Sequence, residues 1–211
     1  MEHALALRAA AEHVHGVTLP DGQGVEAAGR TDGAIVRDLL AAAGVTDGDF
    51  DARWGEVQAA TVEAFAELCP PDLSERVAPG VVDLLGELAG READFRLSLV
   101  TGNLEPVARL KLARAGIGDY FEPGQGGFGS DHASRAHLPP IARARAGGWL
   151  RQRTVVIGDT PRDIACARAD RVRVAAVATG PFAIEALADA DAVVDDARAL
   201  LPVLEDYLSG P

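Results

Sequence analysis

The sequence lacks the features of secreted, membrane and nucleic-acid-binding proteins. It has only two cysteines, Cys69 and Cys166, which lie far apart and predict reduced, buried thiols rather than a disulfide framework. Its 32 acidic residues outnumber its 20 basic ones, and the net charge of −12 argues against a surface for nucleic acid or anionic lipid. No apolar run approaches the ~20 residues that span a bilayer, and no signal peptide is visible. We therefore expect a soluble, cytoplasmic protein that binds neither membranes nor nucleic acid.

The apolar pattern divides the chain into a helical part and a mixed part. Up to the double proline Pro70-Pro71, apolar residues recur at helical spacing and no strand is evident. After that point helices alternate with short apolar runs, which is typical of a parallel sheet covered by helices; these runs lie at 96–100, 154–157, 172–177 and 192–194. The sequence thus predicts an α/β protein, with an all-helical domain over residues 1–75 and an α/β core over residues 76–211.

The most informative segment is an apolar strand that leads into two carboxylates. Gly158 ends the apolar run, Asp159 and Asp163 follow four positions apart, and Pro161 suits the first position of a helix. Such a strand end lies at the carboxyl edge of the sheet, where open α/β proteins bind ligands. Hard carboxylate oxygens at that edge suit Mg²⁺, which takes one or two carboxylates together with a phosphate. The alternative, an acidic helix cap after a buried strand, fits this segment equally well when it is considered alone.

Two further positions carry groups that suit an anion. An apolar run ends in Thr101, Gly102 and Asn103, which offer a hydroxyl and, at the glycine, a close approach to backbone N–H groups. Arg135 precedes a proline-started helix, and a guanidinium can hold a phosphate through two hydrogen bonds. Each signal is weak by itself, because many strand-to-helix turns resemble the first and a solvated surface arginine is the alternative for the second.

The order of these segments along the whole chain resembles the haloacid dehalogenase superfamily. That resemblance makes the helical N-terminal third a cap and the remainder a Rossmann-like parallel sheet core. The stretch Gly29-Arg30-Thr31-Asp32 resembles the cap turn of phosphoglycolate-phosphatase-like members, which implies Arg30 and Asp32 as substrate-binding candidates. Structural roles for these two residues, in a helix cap and a surface pair, are open alternatives.

The resemblance also implies a phosphate site. Thr101 would bind the phosphoryl group, with Gly102 and Asn103 beside it as substrate-binding residues. Arg135 would take the place of the family's usual lysine and neutralise both the nucleophile and the phosphate. Thr101 and Arg135 are therefore the catalytic candidates of this sequence.

The remaining implication is a magnesium-dependent reaction. Asp159 would ligate Mg²⁺, and Asp163 would ligate it or orient its waters. The implied activity is hydrolysis of a small phosphorylated metabolite through an aspartyl-phosphate intermediate. Cap residues would select the substrate, so the sequence does not name it, and it carries no signal of oligomeric state.

One motif of the family has no counterpart in this sequence. The family's first motif is an apolar strand followed by D-x-D-G-T, whose first aspartate is the nucleophile and whose second is the general acid and base. The D-x-D spacing occurs in two other segments, but residues 47–51 lead into a helix and residues 189–191 precede a strand. We therefore expect the first, central strand of the sheet to be missing, the 211-residue form to be inactive, and the natural polypeptide to begin some tens of residues upstream.

A second function class is compatible with the same residues. A non-catalytic relative would bind a phosphorylated ligand or a partner through Thr101, Arg135 and Asp159 without hydrolysing it. Metal-free dehalogenase chemistry and phosphoryl transfer between sugar positions are minor alternatives, because the segment from Gly158 to Asp163 resembles the metal-using branch of the family.

Overall fold

The computed structural model describes residues 1–20 and 27–209, which form helices first and then helices that alternate with short strands. The opening helices are α1 (Glu2–His15), α2 (Asp32–Ala42) and α3 (Asp47–Leu68). They are followed by α4 (Val81–Ala89), β1 (Val100–Thr101), α5 (Glu105–Arg114), β2 (Gly127–Phe128), α6 (Leu138–Arg145), β3 (Val155–Gly158), α7 (Pro161–Asp170), β4 (Arg173–Val177), β5 (Ala192–Val194) and α8 (Leu200–Ser209). This order confirms the predicted α/β class.

The three opening helices pack around a core of their own. Helices α2 and α3 each begin after a threonine, Thr31 and Thr46, whose hydroxyl accepts a hydrogen bond from the backbone N–H three residues on. Their apolar faces meet that of α1 in a cluster of buried side chains: Leu7, Ala10, Ala11, Val14, Leu19, Val36, Leu40, Phe50 and Val57. A second cluster, which includes Phe65, Leu104 and Val107, joins α3 to α5. The helical part therefore also packs against the remainder of the chain.

The sheet of the second part is parallel and covered on both faces. Successive residues of β4 alternate between two apolar clusters, as the two-residue period of a strand requires. Val174 and Ala176 pack on the side of α7, whereas Ala175 and Val177 pack on the side of α4 and α8. Burial on both faces is characteristic of parallel sheets. No helix in the described part of the chain is long and apolar enough to cross a membrane.

Among the described residues the sheet is divided into two pieces. Strand β1 pairs with β2, and β3 pairs with β4, which pairs with β5, all in parallel. One cavity of about 430 Å³ lies between the two pieces. It is lined by residues 97, 98 and 100 on one side and by residues 155–157 on the other. One edge of β1 and one edge of β3 therefore border the same cavity without pairing with each other.

The strands agree with the sequence predictions except near this division. The strands expected at 154–157, 172–177 and 192–194 are found within one residue of those bounds. The strand expected at 96–100 is paired only at Val100 and Thr101, because its sole partner within residues 1–20 and 27–209 is the two-residue strand β2. Sequence analysis missed β2, since Gly127 and Phe128 carry no period-two pattern.

Candidate functional site

The turn between β3 and α7 holds the two carboxylates in different ways. Asp163 is buried and completes a capping box with Thr160, which begins α7. Its Oδ2 accepts hydrogen bonds from the backbone N–H groups of Asp159 and Thr160 and from the Thr160 hydroxyl, at 3.2, 3.0 and 2.8 Å. Asp163 is thus a helix cap, as the structural alternative proposed, and it also faces the site through its other oxygen.

Arg135 reaches that other oxygen across the sheet edge. Its guanidinium Nη2 donates to Asp163 Oδ1 at 2.5 Å, and both side chains are largely shielded from solvent, with exposed fractions of 16% and 7%. The Nε of Arg135 is also buried, and no hydrogen-bond partner for it exists among the described residues. A buried guanidinium N–H without an acceptor is costly, so this donor suits an oxygen of a bound anion.

Asp159 lies beside this pair and carries less compensated charge. Burial and the neighbouring Asp163 carboxylate raise the pKa of Asp159 above its usual range, and Arg135 offsets this only in part. The site therefore has an excess of negative charge at Asp159, which a cation would relieve.

Gly180 fixes the place of the Asp159 side chain and was missed by sequence analysis. A Cβ atom at residue 180 would lie 2.2 Å from Asp159 Oδ2, so any side chain there would push the carboxylate aside. Gly180 follows the end of β4, the strand next to β3, with residues Ala178 and Thr179 between. The rule that ligand sites gather polar residues and glycines at neighbouring strand ends could have identified it.

The turn after β1 is filled by the backbone of another segment. Thr101 Oγ1 accepts a hydrogen bond from the Asn103 N–H at 3.3 Å. A Cβ atom at Gly102 would lie 1.9 Å from the Arg30 carbonyl oxygen, so only glycine allows this approach. The Gly102 carbonyl accepts from the Asp32 N–H at 2.8 Å. The glycine predicted to admit an anion therefore admits the segment 28–32.

Arg30 and Asp32, the two substrate-binding candidates of this segment, have partners within the fold. The Arg30 guanidinium donates to the Asp38 carboxylate at 2.6 Å and to the Ala34 carbonyl at 3.0 Å, so it lies along α2. Asp32 is fully buried, and its Oδ2 accepts from the Leu104 N–H at 2.9 Å. Arg30 is thus in a surface pair, whereas Asp32 ties α2 to the turn after β1.

The segment 28–32 also connects the parts of the site that do not contact each other directly. The Thr31 hydroxyl donates to the Ala133 carbonyl at 2.5 Å, two residues before Arg135. Arg162, in the first turn of α7, donates to the Ala28 carbonyl at 2.6 Å. The turn after β1, the loop before α6 and the turn after β3 therefore meet around one segment. Of the four predicted groups, Arg135, Asp159 and Asp163 form one cluster, whereas Thr101 is linked to it only indirectly, through the contacts of the neighbouring Gly102 with this segment.

The donor set suits magnesium better than a transition metal. Within residues 1–20 and 27–209 no group of three or more His, Cys, Asp or Glu side chains is arranged to hold a metal ion. Mg²⁺ differs from zinc in needing only one or two carboxylates, because waters and substrate oxygens complete its shell. Asp159, whose charge Arg135 offsets only in part, fits a direct ligand. Asp163, with both oxygens already bonded, fits a residue that orients the waters.

The comparisons with known proteins agree with this architecture. The family model described as haloacid dehalogenase-like hydrolase matches residues 25–168. A β-phosphoglucomutase from Clostridium difficile superposes with a TM-score of 0.68 and 17% identity, over 99% of this chain and 90% of that one. A hydrolase from Pseudomonas syringae gives 0.64 and 18%, over 97% and 91%. A predicted phosphoglycolate phosphatase from Haemophilus somnus 129pt gives 0.59 and 17%, over 96% and 90%. At these identities the structures establish a shared fold. The comparison with curated protein sequences found no match.

Proposed function

Because the chain belongs to the haloacid dehalogenase-like hydrolases, we propose that its site serves Mg²⁺-dependent hydrolysis of a small phosphomonoester. The observation that carries this proposal is the cluster of Arg135, Asp159 and Asp163 at the end of β3. It combines a buried guanidinium N–H that lacks an acceptor among the described residues with a carboxylate whose charge Arg135 offsets only in part. A phosphate oxygen and a magnesium ion would satisfy these two groups together.

Each residue has a distinct part in this proposal. Arg135 binds a phosphoryl oxygen through its free Nε and offsets the charge that develops on phosphorus. The Thr101 hydroxyl donates to a second phosphoryl oxygen, since its own lone pair already receives the Asn103 N–H. Asp159 holds the metal and Asp163 keeps Arg135 in place. Magnesium, when bound, supplies charge neutralisation between the phosphate and the carboxylates.

The covalent step of this proposal needs an aspartate that the described site does not contain. An aspartate oxygen would bond to phosphorus while the alcohol leaves with a proton from a second acid, and water would then cleave the acyl phosphate to release inorganic phosphate. Among the described residues, Asp47 and Asp49 lie in the first turn of α3, and Asp189 and Asp191 precede β5. The cavity between β1 and β3 could receive a further parallel strand that presents such an aspartate to Arg135. We therefore expect the 211-residue chain to bind phosphate without turnover.

The second candidate function is phospho-ligand binding without hydrolysis. The absence of a D-x-D pair at any strand end in the described residues favours it. The two candidates differ in the behaviour of a chain extended upstream: the hydrolase gains activity, whereas the binding protein does not.

The test combines binding and turnover. Binding of inorganic phosphate to the 211-residue chain is measured by calorimetry with and without MgCl₂, and p-nitrophenyl phosphate hydrolysis is measured with this chain and with an upstream-extended one. We expect Mg²⁺-dependent phosphate binding that Asp159→Asn and Arg135→Met abolish, while Arg153→Met, an exposed control, leaves it unchanged. Phosphate binding that is absent, or indifferent to both substitutions, would refute the proposed site.

A further inference from the structure

A closed ring of four side chains lies between the helical part and the turn after β1. His3 Nε2 contacts Asp32 Oδ2 at 3.0 Å, and Asp32 Oδ1 accepts from Asn103 Nδ2 at 3.4 Å. Asn103 Oδ1 accepts from Lys111 Nζ at 2.7 Å, and Lys111 Nζ contacts His3 Nδ1 at 3.2 Å. The four residues come from α1, α2, the turn after β1 and α5, and they form one connected polar network.

The ring fixes the orientation of the Asn103 amide. An ammonium group on one side requires the amide oxygen, and a carboxylate on the other side requires the amide nitrogen. A neutral His3 that carries its proton on Nε2 donates to Asp32 and accepts from Lys111, so every contact in the ring joins a donor to an acceptor. The amide therefore has a single favourable orientation.

The same ring holds the backbone of the predicted phosphate turn. Asp32 accepts from the Leu104 N–H, and its own N–H donates to the Gly102 carbonyl. The Asn103 carbonyl accepts from the Gly129 N–H at 2.8 Å. The Asn103 N–H donates to Thr101 Oγ1. The Asn103 side chain and the carbonyls of Gly102 and Asn103 are all held by hydrogen bonds, so the turn that presents this N–H is anchored on several sides.

We propose that Lys111 is a positioning residue of the phosphate site, acting through Asn103 to set the Thr101 hydroxyl and the turn that follows it. This inference rests on the proposed function, since it assigns Lys111 to the same phosphate site. Lys111 does not touch the phosphate; it holds Asn103 Oδ1, and Asn103 in turn holds Thr101. Because His3 and Asp32 complete the ring, the first two helices of the cap also support this geometry.

The surroundings of Lys111 affect its positive charge in two opposite ways. Burial lowers the pKa of Lys111, and the negative charge of Asp32 works in the opposite direction. The ammonium also lies 5.5 Å from the centre of the Phe65 ring, which favours a cation. Replacement of Asp32 by Asn should therefore lower the pKa of Lys111 further.

The composition of the chain makes this ring unusually accessible to experiment. Lys111 is the only lysine and Asn103 the only asparagine in the 211 residues. Selective labelling with [¹³C]lysine and [¹⁵N]asparagine therefore gives one lysine side-chain signal and one side-chain amide pair in NMR spectra. Both signals report directly on the contact between these two residues, with or without ligand.

The decisive comparison uses Lys111→Met, which keeps chain length and removes the ammonium. Loss of a hydrogen bond to a charged group predicts about tenfold weaker binding of inorganic phosphate in the presence of MgCl₂. The Asn103 amide signals should shift in the ligand-free variant. Lys111→Arg, which can still donate to Asn103 Oδ1, should retain most of the affinity, and Arg153→Met, the exposed control, should leave the affinity unchanged.

A double-mutant cycle separates positioning from general stability. In an Asn103→Ala background, Lys111→Met should have no further effect on phosphate affinity, because the lysine acts through the missing amide. Unchanged affinity in Lys111→Met, or additive losses in the double variant, overturns the positioning role while the proposed function stands. Failure of the unmodified chain to bind phosphate overturns the proposed function itself, and the positioning role with it. If Lys111→Met does not fold, the phosphate affinities of Lys111→Arg and Asn103→Ala are compared instead. Lys111→Arg should retain most of the affinity while Asn103→Ala loses it, and equal affinities in the two variants overturn the positioning role.

Discussion

Replacement of Arg135 by methionine tests the central ion pair of the site. Asp163 is only 7% exposed, and its Oδ1 has Arg135 as its charged partner. Removal of one member of a buried ion pair costs about 3–5 kcal/mol, because the other charge is left without compensation. Asp163 Oδ2 keeps its three donors from the turn after β3, so we expect a loss near the lower end, about 3 kcal/mol.

Urea unfolding of Arg135→Met against the unmodified chain measures this loss. The slope of the free energy of unfolding against urea should stay constant, so that the change appears in the midpoint. Arg153→Met, at an exposed position, should change stability by no more than about 0.5 kcal/mol. In Arg135→Met/Asp163→Asn the second substitution should recover part of the loss, since no unpaired charge remains. A loss below about 1 kcal/mol for Arg135→Met would refute the argument that this pair is buried and structurally coupled.

Three further predictions follow from individual contacts. Gly180→Ala should weaken Mg²⁺-dependent phosphate binding, because the added methyl group would displace the Asp159 carboxylate; a matched Gly55→Ala, where the new Cβ meets open space, should not, and calorimetry compares the two. His3→Ala should lower the free energy of unfolding by about 1–3 kcal/mol, since it removes one hydrogen-bond partner from Asp32 and one from Lys111, and urea unfolding that detects no change would contradict the ring. Both cysteines are buried and burial raises the pKa of the Cys166 thiol, so iodoacetamide should modify them only after unfolding; rapid labelling of the native chain, followed by mass spectrometry, would count against this packing.

The helical part and the strand ends could be predicted because their signals are local. Apolar spacing and a threonine cap specify α2 from its own residues, and the same holds for the run that forms β3 and for Pro161 at the start of α7. The bounds of β1 were predicted less accurately, because the extent of a strand depends on the strand that pairs with it. That strand, β2, has only two residues. Local sequence contains no information on that partner.

The roles of the individual site residues depended on contacts between distant parts of the chain. Asp163 was a candidate metal ligand, but Arg135, 28 residues away, bonds to it. Asp32 was a candidate for substrate binding, but it is buried between His3 and the turn after β1, 71 residues further on. Whether a carboxylate serves a ligand or the fold depends on what tertiary packing places beside it.

The sequence by itself therefore determined which residues could carry chemistry and at which edge of the sheet they stand, because strand direction and turn composition are encoded locally. Only the tertiary structure decided how those residues are divided between site and scaffold. It paired Arg135 with Asp163, left Asp159 short of positive charge, and joined Lys111 to Asn103. The physical reason is that burial and long-range hydrogen bonds, rather than residue type, determine whether a polar group is available to a ligand.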